Sequence, residues 1–204
     1  SPLDALADPD GDGLDNLFEY AYGLDPHMFD LDPRRVRPGL VARGWFFDST
    51  VTSITCMASS PPRDCFIFDA DVNFPETREP WEGFDARYAD GFALSLGGWL
   101  RIDTPGTYSF HMASDDGSAF TIDDQRLLND SGKHVFRWRS AAIDLSAGWH
   151  PITLDYFENM YDAGWILEWT PPGGTRAIVP HARFAHLAEE EVFPPNMVWT
   201  GPTT

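Results

Sequence analysis

Gly106-Thr107-Tyr108-Ser109-Phe110-His111-Met112-Ala113-Ser114-Asp115-Asp116-Gly117-Ser118-Ala119-Phe120-Thr121-Ile122-Asp123 is the stretch on which the fold turns. Apolar and polar residues alternate from Thr107 to Ala113 and again from Ala119 to Asp123, the two-residue period of half-buried strands. Between the runs, Asp115-Asp116-Gly117 reads as a hairpin-like corner with Gly117 free to take a positive φ. Adjacent carboxylates repel, so the pair needs a reason. Either it is a solvated turn, where Asp and Gly are ordinary residues, or it supplies oxygen ligands to a hard cation.

Outward from this corner the β signal continues on both sides. Residues 40–47, 66–68 and 92–102 precede it, and 141–145, 152–157 and 164–169 follow. Turn signals separate them at Pro105-Gly106, Ser131-Gly132, Ala147-Gly148, Ala163-Gly164 and Pro171-Pro172-Gly173-Gly174. Many short strands at this spacing predict an all-β chain, an antiparallel β-sandwich or barrel. No stretch alternates strand with helix, which argues against an α/β enzyme fold.

A second chemical signal stands near the start. Asp8-Pro9-Asp10-Gly11-Asp12-Gly13-Leu14-Asp15-Asn16-Leu17-Phe18-Glu19 fits the calcium-loop pattern. Asp8, Asp10 and Asp12 fall at loop positions 1, 3 and 5, with Gly13 at the sharp turn. Leu14 offers its backbone carbonyl, Asn16 stands at position 9, and Glu19 at position 12 is the bidentate ligand. Leu14, Leu17, Phe18, Ala21 and Leu24 then recur at helical spacing, and Gly23 is a natural stop. No amphipathic helix precedes Asp8, so the unit is half an EF-hand. It resembles the single loop–helix units of dockerins and thrombospondin type 3 repeats over residues 8–26, which implies a stiffened extracellular spacer.

The chain has 204 residues, a formal net charge of −18 and one lysine, Lys133, against 13 arginines. Such a charge is repelled by nucleic acid and by anionic membranes, and suits bound cations or neutral ligands. No apolar run approaches the ~20 residues of a membrane helix. Cys56 and Cys65 flank a Ser/Pro-rich loop; a local disulfide is expected if the chain is secreted, and two thiols otherwise. No nucleophile elbow, zinc-protease helix motif or phosphate-binding loop is present, so no enzyme is expected.

A larger resemblance rests on ordered motifs. Arg43-Gly44-Trp45-Phe46-Phe47 is followed by Gly98-Trp99-Leu100, Thr104-Pro105-Gly106-Thr107-Tyr108-Ser109-Phe110 and Ser114-Asp115-Asp116-Gly117-Ser118. Leu145-Ser146-Ala147-Gly148-Trp149-His150-Pro151, Tyr156-Phe157-Glu158, Leu167-Glu168-Trp169 and Ile178-Val179-Pro180 complete the set. Together they resemble the fourteen-kilodalton domain family named for anthrax protective antigen, over residues 39–187. The resemblance implies a sandwich or barrel of antiparallel strands. In lectin members an Asp-Asp pair joined by a cis peptide chelates Ca²⁺, and sugar hydroxyls coordinate the same ion. It therefore implies Asp115 and Asp116 as calcium ligands, with Asn159 and Asp162 of a later loop as side-chain partners. The flocculin-type insertions that read the sugar are missing from that loop.

Tyr161 and Trp165 are candidate stacking surfaces for a sugar, with packing in the sheet the favoured reading for Trp165. Trp45, Trp99, Trp149 and Trp169 are expected in the core, and Trp81 and Trp138 in irregular segments that leave burial or exposure open. The chain thus divides into a calcium-binding spacer (1–33), a linker (34–38), the β domain (39–187) and a C-terminal tail (188–204). The expected function is an extracellular, calcium-dependent, glycan-binding adhesin module with two Ca²⁺ sites. The alternative is a self-associating structural subunit of an extracellular filament or surface assembly, suggested by the apolar, proline-rich end of the tail.

Overall fold

The computed structural model describes residues 5–191. The apolar end of the tail, from Val192 onward, lies outside them. A short helix, α1 (Asn16–Tyr22), comes first. Strands β1 (Val36–Pro38), β2 (Leu40–Phe46), β3 (Asp64–Phe68), β4 (Asn73–Thr77) and β5 (Phe92–Ile102) follow. Then come β6 (Gly106–Asp115), β7 (Ser118–Ile122), β8 (Gln125–Asp130), β9 (Arg137–Leu145) and β10 (Gly148–Glu158). The last are β11 (Ala163–Thr170), β12 (Ala177–Ile178) and β13 (Phe184–Leu187).

Eight strands form one antiparallel sheet in the order β1-β13-β5-β10-β7-β8, with β2 also on β5 and β3 beyond it. Five form the other, β12-β11-β6-β9, with β4 also on β11. Neither sheet closes on itself, so of the two architectures expected, the chain adopts the open sandwich and not the barrel. Strand alternation explains the core between the sheets. Tyr108, Phe110 and Met112 of β6 and Ile152, Leu154 and Tyr156 of β10 turn inward, while Ser109, His111 and Thr153 turn out. One long edge of β5 pairs with β10 along its whole length. The opposite edge is shared, β2 taking residues 92–97 and β13 taking 99 and 100. Gly98 stands at that handover, where a Cβ would lie 2.4 Å from the Ala185 carbonyl oxygen. Only a glycine lets the two neighbours meet there.

The segment expected as a linker is in part strand: Val36–Pro38 pairs with residues 185–187 of β13. The N-terminal unit is packed against the β domain. Asp30 is buried and paired with Arg101, and the Phe29 carbonyl accepts from Trp149 N at 3.1 Å. Trp81, whose position the sequence left open, is also placed by the structure. It is buried, stacked on Phe74 with ring centroids 4.4 Å apart, and closes one end of the sandwich with Phe84 and Tyr88.

The expected disulfide is absent: Cys56 and Cys65 are free thiols. Cys56 lies in a 3₁₀ turn (Ile54–Ser59) that packs on Trp45, Ala93 and Phe157, whereas Cys65 sits on β3 opposite Arg43. Hydrogen bonds from Trp45 Nε1 to the Ser60 carbonyl (2.8 Å) and from Arg63 N to the Gly44 carbonyl (2.7 Å) already hold this loop. Burial pushes the Cys56 thiol up to about 11 and raises that of Cys65, which keeps both protonated and unreactive.

Candidate metal centre and ligand cleft

Asp115 ends β6 in the five-stranded sheet and Ser118 begins β7 in the eight-stranded one. The corner therefore carries the chain between sheets and is not a hairpin. Gly117 is needed for a different reason than the one expected. Its φ is not positive, but a Cβ there would lie 2.4 Å from Phe157 Cε1 and 2.8 Å from the Gly132 carbonyl oxygen. The Asp115–Asp116 peptide is cis. Ser114 Oγ and Ser118 Oγ lie 2.6 Å apart across the corner, and the Tyr156 hydroxyl donates to the Asp115 carbonyl.

The structure adds to this pair a third carboxylate that the sequence reading had passed over. Carboxylate oxygens of Asp115, Asp116 and Glu158 all lie within 4.8 Å of one another. Glu158 is fully buried at the end of β10; Oε2 accepts from Asp116 N at 3.1 Å, while Oε1 has no hydrogen-bond partner among the described residues. Burial, and next the charges of Asp116 and Asp115, push the Glu158 carboxyl up to about 8. Burial and then Asp116 and Glu76 push Asp115 up to about 7. Three carboxylates with one orphaned oxygen form a hard-oxygen donor set whose mutual repulsion a divalent cation relieves. The residues present fit a hard divalent cation.

Two loops close the site. The Asn159 N–H donates to Asp116 Oδ2 (3.0 Å), and from 131–136 His134 N donates to Asp116 Oδ1 (3.0 Å) and Phe136 N to Asp115 Oδ2 (3.2 Å). The second loop carried no signal in the sequence beyond its turn residues. Asn159 thus reaches the acids through its backbone, and its side-chain oxygen accepts from Val51 N at 3.1 Å. Asp162 stands off the cluster, paired with Arg78 at 3.1 Å. Outside the acids is a cleft of about 340 Å³ lined by Asp115, Asp116, Lys133, His134, Val135, Met160, Tyr161 and Asp162. Tyr161 is 64% exposed on its rim, beside exposed Val135 and Met160. Trp165 cannot present a face there. It is fully buried and stacked on Tyr156 with centroids 5.1 Å apart, the packed role favoured for it, so the candidate sugar contact is withdrawn.

The N-terminal loop has its own cluster. Oxygens of Asp8, Asp10 and Asp12 lie within 4.8 Å of one another. Asp8 accepts from Gly11 N (2.8 Å) and Gly13 N (3.0 Å), and Asp12 Oδ1 from Leu14 N (2.7 Å), so the chain wraps around its own carboxylates. Helix α1 begins at Asn16, capped by Asp15, and ends at Gly23 in the left-handed conformation. It buries its one acid, Glu19, and exposes Leu17 and Tyr20. Neither Glu19 oxygen has a hydrogen-bond partner among the described residues, and burial followed by the charges of Asp10, Asp12, Asp30 and Asp8 raises its carboxyl.

Fold and corner define a two-sheet antiparallel β domain that gathers carboxylates where the chain passes between its sheets. The PA14 domain model matches residues 82–182, and the chain has the PA14-domain fold. The PA14 domain of the MpAFP antifreeze protein aligns with a TM-score of 0.64 at 16% identity, covering 80% of this chain and 98% of that one. The PA14 sugar-binding domain of an RTX adhesin aligns with a TM-score of 0.62 at 16% identity, over 73% and 98%. The Epa9 adhesin A domain of Candida glabrata, in complex with Galβ1-4GlcNAc, aligns with a TM-score of 0.59 at 13% identity, over 80% and 95%. No curated protein matches the chain.

Proposed function

We propose that the chain is an extracellular, non-enzymatic, calcium-dependent carbohydrate-binding module of adhesin type. The observation that carries this reading is the buried Asp115–Asp116–Glu158 cluster, with an orphaned Glu158 oxygen, beneath an open cleft. Calcium held there supplies a Lewis-acidic centre for vicinal sugar hydroxyls. Asp115 and Asp116 present the carboxylates, Glu158 neutralises from below, and the backbone N–H groups of His134, Phe136 and Asn159 fix the carboxylates in place. Tyr161, on the rim, offers a ring to the sugar face, and Asp162 lies beside it to accept from a hydroxyl. The sugar-binding RTX adhesin domain and the galactoside-bound Epa9 domain share the fold, which supports the ligand class.

The N-terminal loop is the second calcium site in this reading, with Asp8, Asp10, Asp12, the Leu14 carbonyl, Asn16 and Glu19 as ligands. Its role is structural: it stiffens the unit that packs on β5 and β10. A glycan array probed with folded protein, with and without chelator, tests the proposal. Signal on a set of glycans in calcium that vanishes on chelation is expected. A blank array in calcium would overturn it.

A further inference from the structure

Trp99 and Trp149, expected in the core, stand instead on the outer face of the eight-stranded sheet, half-buried on neighbouring strands β5 and β10. Phe29, from the N-terminal unit, lies on Trp99 with ring centroids 6.1 Å apart at 19°. The facing wall is the two-residue turn between β7 and β8, Asp123-Asp124, with φ of 50° and 59°. Both positions are left-handed, where Asn and Gly are usual, yet both carry carboxylates. Asp123 Oδ2 is held at 2.7 Å by Nδ1 of buried His150. Asp124 is exposed and has no ion-pair partner among the described residues. These residues line a cleft of about 420 Å³. It lies at the far end of β7 from the Asp115–Asp116 corner, roughly 15 Å away along the strand.

We infer that this cleft binds a compact organic cation, an alkylammonium or guanidinium head group. Its charged groups facing solvent are acceptors only. The carboxylates accept, and both His150 nitrogens are already engaged, Nδ1 by Asp123 and Nε2 by the Ser146 carbonyl at 3.0 Å. An anion meets no cationic side chain facing solvent in this lining, whereas a cation meets the carboxylates beside the Trp99 and Trp149 rings, whose quadrupoles attract positive charge. The surface already shows that preference, because the Arg101 guanidinium lies 5.5 Å from the Trp149 ring centre. A net charge of −18 further concentrates cations at the surface. A hard metal ion is the poorer fit, since Asp123 and Asp124 belong to no three-ligand cluster among the described residues. The inference is independent of the glycan reading.

The test is calorimetric titration of the full chain, in calcium, with choline and with its neutral isostere 3,3-dimethylbutan-1-ol. Saturable choline binding at least tenfold tighter than that of the isostere is expected. Asp124→Asn, an exposed change that leaves the fold intact, and Trp149→Leu should each weaken it tenfold or more. Asp116→Asn should abolish glycan binding and leave choline binding untouched, which separates the two readings. A third titrant, Nα-acetyl-lysine methylamide, identifies the source. If it binds tighter than choline, the cation is a side chain of a protein partner; if weaker, a free quaternary ammonium. Equal binding of the neutral isostere, no saturable heat with choline, or wild-type affinity in Asp124→Asn would overturn the inference.

Discussion

In the N-terminal loop, the carboxylates of Asp8, Asp10 and Asp12 come from five consecutive residues, and Asp8 remains exposed. At the corner, Asp115 ends one strand with Asp116 just beyond it, and Glu158 ends another, 42 residues beyond Asp116. The loop arranges its carboxylates with its own backbone, through hydrogen bonds spanning two to five residues. The corner arranges its carboxylates with the whole sandwich, because Asp116 is hydrogen-bonded from residues 18 and 43 positions away. A cation site of the first kind forms once a short segment is ordered. One of the second kind exists only when both sheets have packed. The first therefore suits a local stiffener, and the second can link an ion to a surface built from distant loops.

The largest expected break between the two is in binding. Asp116→Asn should lower glycan affinity at least about a hundredfold, since in the proposed function it removes a charged ligand from the ion that holds the sugar. Glu19→Gln should leave glycan affinity within about twofold. Equal losses in both variants, measured on a glycan found by the array, would show that the loop and the corner are one functional unit.

Protonation sharpens the comparison next. The Glu158 carboxyl sits at about 8 against an ordinary 4.5, and Asp115 at about 7 against 3.8. Both are raised, so the folded state holds these protons more tightly than the unfolded state. Their contribution is fully present below about pH 4 and is lost as pH rises through 7 and 8. Asp32 is lowered by its hydrogen bond from Arg34, so its contribution changes only at pH below its ordinary 3.8. In chelator the thermal midpoint should therefore fall by about 5 °C or more between pH 5 and pH 8. Saturating calcium takes the place of the protons and should flatten that slope. A midpoint in chelator that holds level or rises across this window would contradict the burial of these acids.

Much of this was readable in the sequence, and the failures share a cause. The alternations in β6 and β10 follow from inward Phe110 and Leu154, each of which has polar residues on both sides, Ser109 and His111 for the first and Thr153 and Asp155 for the second. The Asp8–Glu19 spacing carries its geometry within itself. Glu158 was quoted as part of a strand motif but not as a ligand, because only sheet packing aims its carboxylate at Asp116. Trp99 and Trp149 were misplaced for the same reason. A tryptophan in a strand faces the core or the solvent according to register and partner sheet, and its own sequence does not say which. Gly117 was assigned a positive φ, whereas its need is the proximity of Phe157 and Gly132, both distant in sequence. Gly117→Ala should accordingly destabilise the protein by about 1–3 kcal/mol in chemical denaturation, through overpacking at the corner.

The smallest effect concerns the loop, and it is local. Asp12 has two tasks: Oδ1 accepts from Leu14 N within the loop, and Oδ2 accepts from Asp30 N at 2.8 Å. Asp30 in turn pairs with Arg101, and the adjacent Phe29 carbonyl accepts from Trp149 N. A chain of polar contacts thus runs from the loop to β10. Calcium in the loop, by fixing Asp12, should protect the Asp30 and Trp149 amides from hydrogen exchange, and chelation should speed their exchange about tenfold. In Glu19→Gln these two amides should exchange quickly even in calcium, while His134, Phe136 and Asn159 at the corner stay protected. Slow exchange at Asp30 and Trp149 in that variant would mean that the docking of the N-terminal unit rests on Arg101 and Phe29 alone, with no contribution from the loop's ion.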